Sequence, residues 1–267
     1  MDGIVLIAVD LDGTLLTTEK NLAPEGTHLL KCAHRNGKRI ILTTIRNSVS
    51  TQSFSQQLHI NDPIICCNGA HILETPSGPD WQYHTITLEA AQRIAQLADE
   101  HGWELSTTIG SVTYWRQRPG QEIGRFNDNI VIVPTNLDAI KAAPIRMLVN
   151  SFEASEKIET LCQSELQGKC RTEIFYNPDK TFHSMVICPA SADKGKALEF
   201  VLKRLDIAKE QVMAIGDNLA DISMFHIAGI SVAMGNAPDK VKQEATIVAP
   251  ANDDEGVAWA LKMYKIV

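Results

Sequence analysis

The run Ile4-Val5-Leu6-Ile7-Ala8-Val9 is followed at once by Asp10-Leu11-Asp12-Gly13-Thr14. A continuous apolar run rich in β-branched residues predicts a strand buried on both faces, and such strands belong to parallel sheets covered by helices. The two carboxylates at its end cannot remain charged in an apolar interior. They must lie where water, a metal or a ligand reaches them. In an open parallel sheet that place is the crevice at the carboxyl edge of the strands. Residues two apart on extended chain project to the same side, so Asp10 and Asp12 face one point.

The pattern after this strand predicts a repeating β-α rhythm. A helix is expected from Pro24 to Asn36, with Pro24 in its first turn and Gly37 as its stop. Then come the strand Ile40–Leu42, a helix over Val49–Leu58 and the run Pro63–Cys67. These strands end in Thr43-Thr44 and Asn68-Gly69, so three polar ends meet at one sheet edge. His71–Leu73 and Trp81–Tyr83 flank a turn-rich stretch and read as a hairpin.

From 84 to 187 the rhythm is lost. Two helices, Leu88–His101 and Glu153–Leu166, are expected among short strands at Glu104–Thr107, Val112–Trp115, Ile130–Val133, Ile145–Val149, Lys169–Ile174 and Ser184–Cys188. After Pro189 the rhythm returns: helix Lys194–Leu205, strand Val212–Ile215, helix Leu219–Ala228, strand Ile230–Met234, helix Pro238–Glu244, strand Thr246–Val248 and helix Gly256–Tyr264. The expected fold is α/β, a Rossmann-like parallel-sheet core of residues 1–83 and 188–267 interrupted by an α+β insert of 84–187.

With 267 residues, 44% of them hydrophobic, the chain can bury a core for two moderate domains. A net charge of -7 without a basic run argues against nucleic acid and anionic membrane as partners. No apolar run approaches the ~20 residues of a membrane span. Met1-Asp2-Gly3 offers no basic leader, so a cytoplasmic protein with reduced thiols at its six scattered cysteines is expected. Nothing in the sequence sets the oligomeric state.

Reactive side chains gather at predicted strand ends and helix starts: Asp10 and Asp12, Thr44, Lys194, and Asp217 with Asp221. Convergent carboxylates make a hard-oxygen site of the kind Mg²⁺ prefers. A lysine and a threonine beside such an ion suit phosphate oxygens. Backbone N–H groups at the turns Asp12-Gly13-Thr14 and Asn68-Gly69 add donors.

Four stretches in order then resemble one family. Asp10-Leu11-Asp12-Gly13-Thr14-Leu15-Leu16 resembles the first motif of the haloacid dehalogenase (HAD) superfamily of phosphohydrolases. Ile40–Arg46 resembles the second, Ser184–Gly195 the third, and Gly216–Met224 the fourth. Asn68-Gly69-Ala70, Val232–Ala237 and Asp254–Ala258 are similar to its Cof-type branch, subfamily IIB, whose C2 cap matches the insert in place and size.

The resemblance implies a Mg²⁺-dependent phosphatase for small organic phosphomonoesters, sugar phosphates first, with nucleotides and pyridoxal phosphate as alternatives. It makes Asp10 the nucleophile that becomes an aspartyl-phosphate, and Asp12 the acid and base for leaving alcohol and water. Metal ligands would be Asp10, Asp12 through its carbonyl, Asp217 and Asp221. Phosphate contacts would fall on Leu11, Thr44, Ile45, Arg46, Asn68, Gly69, Lys194 and Ala220. The metal would offset the repulsion of nucleophile and phosphate, about 4 kcal/mol per charge pair at ~4 Å and an effective dielectric near 20. The small phosphorylated metabolite itself would be selected by the insert. There Tyr114-Trp115-Arg116 and Phe175-Tyr176-Asn177 could face a sugar or ring, or pack their own sheet.

Two positions depart from the family. Ile45 stands where the second motif has glycine, and a left-handed backbone there would cost about 1–3 kcal/mol. Ala220 replaces an asparagine of the fourth motif and removes a hydrogen bond worth about 1–3 kcal/mol. These departures motivate one rival, a phosphometabolite-binding protein of weakened turnover; the nearer enzyme rival is a phosphotransferase or phosphomutase, which would keep the aspartyl-phosphate and exclude water.

Overall fold

The strand β1 (Leu6–Asp10) is buried along its whole length. The computed structural model describes residues 3–116, 129–176 and 181–267. After β1 come α1 (Pro24–Arg35), β2 (Arg39–Thr43), α2 (Ser48–Leu58), β3 (Ile64–Cys66), β4 (His71–Leu73) and β5 (Asp80–Tyr83). There follow α3 (Leu88–His101), β6 (Ser106–Ile109), β7 (Val112–Arg116), β8 (Asn129–Val133), β9 (Arg146–Val149), α4 (Phe152–Gln163), β10 (Cys170–Tyr176) and β11 (Phe182–Pro189). The chain closes with α5 (Lys194–Leu205), β12 (Val212–Gly216), α6 (Ile222–Phe225), β13 (Ile230–Ala233), α7 (Asp239–Gln243), β14 (Ile247–Val248) and α8 (Gly256–Met263). It divides into two compact units, Met1–Gln82 with Asp193–Val267, and Tyr83–Ala192.

The first unit carries an eight-stranded sheet in the order β14-β13-β12-β1-β2-β3-β4-β5. Pairing is parallel from β14 through to β3, and β4 turns back antiparallel. Parallel neighbours need crossover connections, which the intervening helices provide. On α5, Ala197, Leu198, Val201 and Leu202 recur at helical spacing and pack with Leu6, Ala8, Ile41, Val212 and Ala214 of the sheet. Each buried Leu or Val contributes roughly 1.5–3 kcal/mol relative to exposure. That packing fixes α5, and with it the position of its first residue, Lys194.

The second unit carries a six-stranded sheet, β10-β11-β9-β6-β7-β8, antiparallel except for the β7–β8 pair. Its core joins Ala91, Ile94 and Ala98 of α3 and Ile158 and Leu161 of α4 to Met147, Met185 and Ile187 of the strands. Within β7, Arg116 donates to the carbonyl of Trp103 at 2.8 Å, so this residue is engaged by its own unit. Asn177 lies outside the described residues.

Element ends shift by up to three residues, as where α4 stops at Gln163 and not Leu166, and two differences have a clear cause. The strand expected from Glu104 begins at Ser106, because the Leu105 N–H is taken by the Asn136 side chain at 3.0 Å instead of a strand partner. The helix expected over Leu219–Ala228 is a 3₁₀ turn, Leu219–Asp221, followed by the single turn of α6. The Asp221 carboxylate draws the preceding backbone into that turn, as the site geometry shows. Among the described residues, no helix is long and apolar enough to cross a membrane.

Candidate active site

Sheet register decides which side chains meet. Asp10 pairs with Thr43 on β2, and Val9 with Ile215 on β12. The loops after these three strands therefore share one edge: Leu11–Thr14, Thr44–Arg46 and Asp217–Asp221.

Lys194 Nζ donates to Asp10 Oδ1 and to Asp221 Oδ1, both at 2.6 Å. All three side chains are almost inaccessible: 3% exposed for Lys194, 6% for Asp10 and 0% for Asp221. The other Asp221 oxygen accepts from the backbone N–H of Asp217 at 3.0 Å and of Asn218 at 2.9 Å. Asp221 is thus fully engaged in holding the lysine and the turn. Asp217 Oδ1 accepts from the Thr14 hydroxyl at 2.8 Å. Gly13 lets the two loops come this close: its φ is +80°, and a Cβ there would lie 2.3 Å from Asp217 Oδ2.

Carboxylate oxygens of Asp10, Asp217 and Asp221 lie within 4.8 Å of one another. Burial and the neighbouring Asp221 push the Asp217 carboxyl up to about 7. Burial also raises Asp10 well above the carboxylate range; Lys194 opposes this shift, and Asp221 and Asp217 add to it. For Lys194, burial opposes the charge, but Asp10 and Asp221 outweigh it and keep the ammonium. One buried cation faces three crowded carboxylates, a net excess of negative charge built from hard oxygen donors. This set fits a divalent, oxygen-preferring cation.

Asp12 adds its charge to the rise of Asp217 but has cationic partners of its own. Arg46 grips it with Nε to Oδ2 at 2.6 Å and Nη2 to Oδ1 at 2.7 Å. Lys20 Nζ adds a bond to Oδ1 at 3.1 Å. Burial would raise the Asp12 carboxyl, but Arg46 and then Lys20 prevail and hold it at about 2. Arg46 also lies over the Phe54 ring, 5.1 Å from its centroid, which braces the guanidinium from behind.

The remaining predicted residues frame this edge. Thr44 is fully buried, and its hydroxyl accepts from the Arg46 N–H at 3.1 Å. Its carbonyl accepts from the Asn68 N–H at 3.0 Å, and the Arg46 carbonyl from the Cys67 N–H at 2.9 Å. Cys67, Asn68 and Gly69 all take left-handed backbone, at φ 50°, 56° and 91°. At Gly69 a Cβ would stand 2.3 Å from the Asp193 carbonyl, so only glycine fits beside the start of α5. Cys67 and Asn68 therefore brace the Thr44–Arg46 loop, while Gly69 lies against the start of α5. Leu11 is buried, and its carbonyl accepts from Leu16 N–H at 2.8 Å. Ala220 donates its N–H weakly to Asn218 Oδ1 at 3.5 Å. The strain expected at Ile45 does not arise, because its φ lies outside the left-handed region. The turn takes its positive φ angles at 67–69 instead.

Three side chains contribute that the sequence does not assign to the site: Lys20, Asn236, and Thr14, which it offers only through its backbone. Asn236 Nδ2 donates to the Gly13 carbonyl at 2.9 Å and lies 3.5 Å from Asp217 Oδ2. Thr14 follows the paired aspartates directly, and Asn236 follows a glycine after an apolar strand, which was the available signal. Lys20 carries no pattern that marks it.

The sequence pattern described as haloacid dehalogenase-like hydrolase matches residues 7–261. The chain is 30% identical over 285 residues to phosphatase YwpJ of Bacillus subtilis (strain 168), covering 96% of this chain and 98% of that one. It is 30% identical over 268 residues to pyridoxal phosphate phosphatase YbhA of Escherichia coli (strain K12), covering 98% of each. Its fold superposes on the HAD subclass IIB sugar phosphatase BT4131 with a TM-score of 0.80 at 22% identity, covering 98% of this chain and 99% of that one.

Proposed function

The chain belongs to the haloacid dehalogenase-like hydrolases and is a phosphoric monoester hydrolase, and on that footing we propose that it hydrolyses small organic phosphomonoesters through an aspartyl-phosphate on Asp10. The observation that carries this reading is the linked set Asp10–Lys194–Asp221, 2.6 Å at each bond, with Asp217 completing the carboxylate cluster.

Mg²⁺ is the cation proposed for that cluster, held by Asp10 and Asp217 with the Asp12 carbonyl, while Asp221 acts through Lys194 and the turn. Once bound, it supplies positive charge that offsets the repulsion between a carboxylate nucleophile and a phosphate dianion.

The protein's own groups perform the rest. Lys194 fixes Oδ1 of Asp10, and Oδ2 attacks phosphorus. The P–O bond to the alcohol breaks as Asp12 delivers a proton to the departing oxygen. The products are the free alcohol and a phosphorylated Asp10. Water then attacks that phosphorus, Asp12 takes its proton, and inorganic phosphate leaves with Asp10 restored. The Thr44 hydroxyl, already oriented by the Arg46 N–H, donates to a transferring oxygen, and Lys194 balances its charge. An arriving phosphate dianion competes with Asp12 for the Arg46 guanidinium, whose planar fork suits either anion. That competition loosens the clamp and lets Asp12 take up the proton it must deliver.

Phosphate release across sugar phosphates, nucleotides and pyridoxal phosphate, with Mg²⁺ and with chelator, tests the reading. The relative YbhA, similar over 98% of the chain, puts pyridoxal phosphate in that panel from the start. Metal-dependent release from at least one ester is expected. Transfer to an added alcohol with little free phosphate would make the chain a phosphotransferase instead.

A further inference from the structure

None of the six cysteines forms a disulfide, and Cys162 and Cys170 meet. Cys162 lies in the last turn of α4 and Cys170 opens β10, with their Sγ atoms 3.3 Å apart. Both residues line an open cleft with Glu159, Gln163, Gln167 and Arg171 and keep 4% and 6% of their surface exposed, a path by which a small oxidant would arrive. The intervening segment includes Gly168 at φ +76°, a left-handed turn that brings the start of β10 back beside the end of α4. The shared hydrogen bond splits the pair. It lowers the pKa of Cys170, and together with burial it raises that of Cys162. That asymmetry favours Cys170 as the attacking member of the pair, with Cys162 3.3 Å away to resolve.

We propose that Cys162 and Cys170 are a redox-active dithiol, closed to a disulfide by a hydroperoxide and reopened by a low-molecular-weight thiol. In the first step the Cys170 thiolate attacks the peroxide oxygen. The O–O bond breaks, an alcohol or water leaves with a proton, and Cys170 becomes a sulfenic acid. In the second step Cys162 attacks that sulfur, the S–O bond breaks, and water leaves with the Cys162 proton. Two thiols and one hydroperoxide thus give one disulfide, one alcohol and one water. Two moles of an external thiol reverse the closure by exchange and become its own disulfide. This chemistry lies within the second unit and does not depend on the phosphatase reading.

The test uses the full reduced chain. It is exposed to hydrogen peroxide at a dose that converts half of free cysteine to cystine, then trapped with N-ethylmaleimide in denaturant and weighed. The expected product takes four maleimides, two fewer than the six cysteines of the reduced chain, and its protein mass falls by about 2 Da. A cross-linked peptide joins Cys162 to Cys170, and dithiothreitol restores six reactive thiols. In Cys162→Ser no cross-link forms and Cys170 instead gains about 16 or 32 Da, the sulfenic and sulfinic states. In Cys170→Ser the oxidation rate of Cys162 falls at least about tenfold. Six maleimides on the wild-type chain at that dose, or a cross-link between other cysteines, overturn the proposal. The wild-type result alone decides it if a variant does not fold.

Discussion

Arg46 holds Asp12 through two parallel hydrogen bonds, Nε to Oδ2 at 2.6 Å and Nη2 to Oδ1 at 2.7 Å. The pair keeps the proposed proton carrier ionised until another anion claims the guanidinium. Its effect on stability has a definite sign. The folded pKa of Asp12, about 2, lies below its ordinary value of 3.8, so the pairing stabilises the fold above pH ~4 and the gain is lost as pH falls toward 2. Arg46→Ala is expected to lower unfolding free energy at pH 6, in chelator, by about 2 kcal/mol, with the gap narrowing toward pH 2. Urea titrations across pH 6 to 2 measure it. A gap that stays constant over that range would contradict the clamp.

Lys194 is the shared partner of Asp10 and Asp221. Removing one member of a buried ionic set leaves charges uncompensated, at about 3–5 kcal/mol. Lys194→Met is expected to destabilise by that order, and Lys194→Met combined with Asp221→Asn by less than the sum of the two. A coupling energy above about 1 kcal/mol in the double-mutant cycle is the expected result. Additive losses would mean that the two side chains do not act together.

Metal dependence should carry a pH signature. Without metal, burial and Asp221 raise Asp217 to about 7, so the folded state binds more protons than the unfolded state between pH ~4 and 7. Stability of the metal-free protein therefore falls as pH rises through that window. The proposed Mg²⁺ would bind the ionised form and restore the lost stability. The rise in Tm on adding Mg²⁺ is expected to be larger at pH 8 than at pH 5.5 in a thermal melt. An equal shift at both values would place the ion elsewhere.

Ile45 has backbone that any residue adopts. Ile45→Gly is therefore expected to lower stability by roughly 0.5–1 kcal/mol through added freedom of the unfolded chain. With Ala220→Asn added, phosphate release should change less than about tenfold, under 1.4 kcal/mol in barrier. A rise from no turnover to an ordinary rate would show that the native chain is a binder.

The sheet was legible because its strands are continuous apolar runs: Leu6, Ile7, Ala8 and Val9 are each fully buried, and no other assignment hides them. Asp10, Asp217 and Lys194 were legible as residues at strand ends and a helix start. Their pairing was less so, because Lys194 and Asp10 are 184 residues apart and only sheet order brings them together. The clamp of Arg46 on Asp12 and the engagement of Asp221 by two backbone N–H groups depend on side-chain direction, which no spacing encodes. The strain at Ile45 was misplaced for a similar reason. Cys67 and Asn68 carry the left-handed backbone, and a cysteine gives no sign of it.

The most direct test is phosphate release by Asp10→Asn beside the wild-type chain, with Mg²⁺ and the best ester of the panel, and with both unfolding midpoints recorded. The substitution keeps the size of the side chain and removes the attacking charge. A fall of at least about a thousandfold, near 4 kcal/mol in barrier, with the variant still folded is the predicted result. Turnover within about threefold of wild type would remove Asp10 as nucleophile, and the aspartyl-phosphate with it.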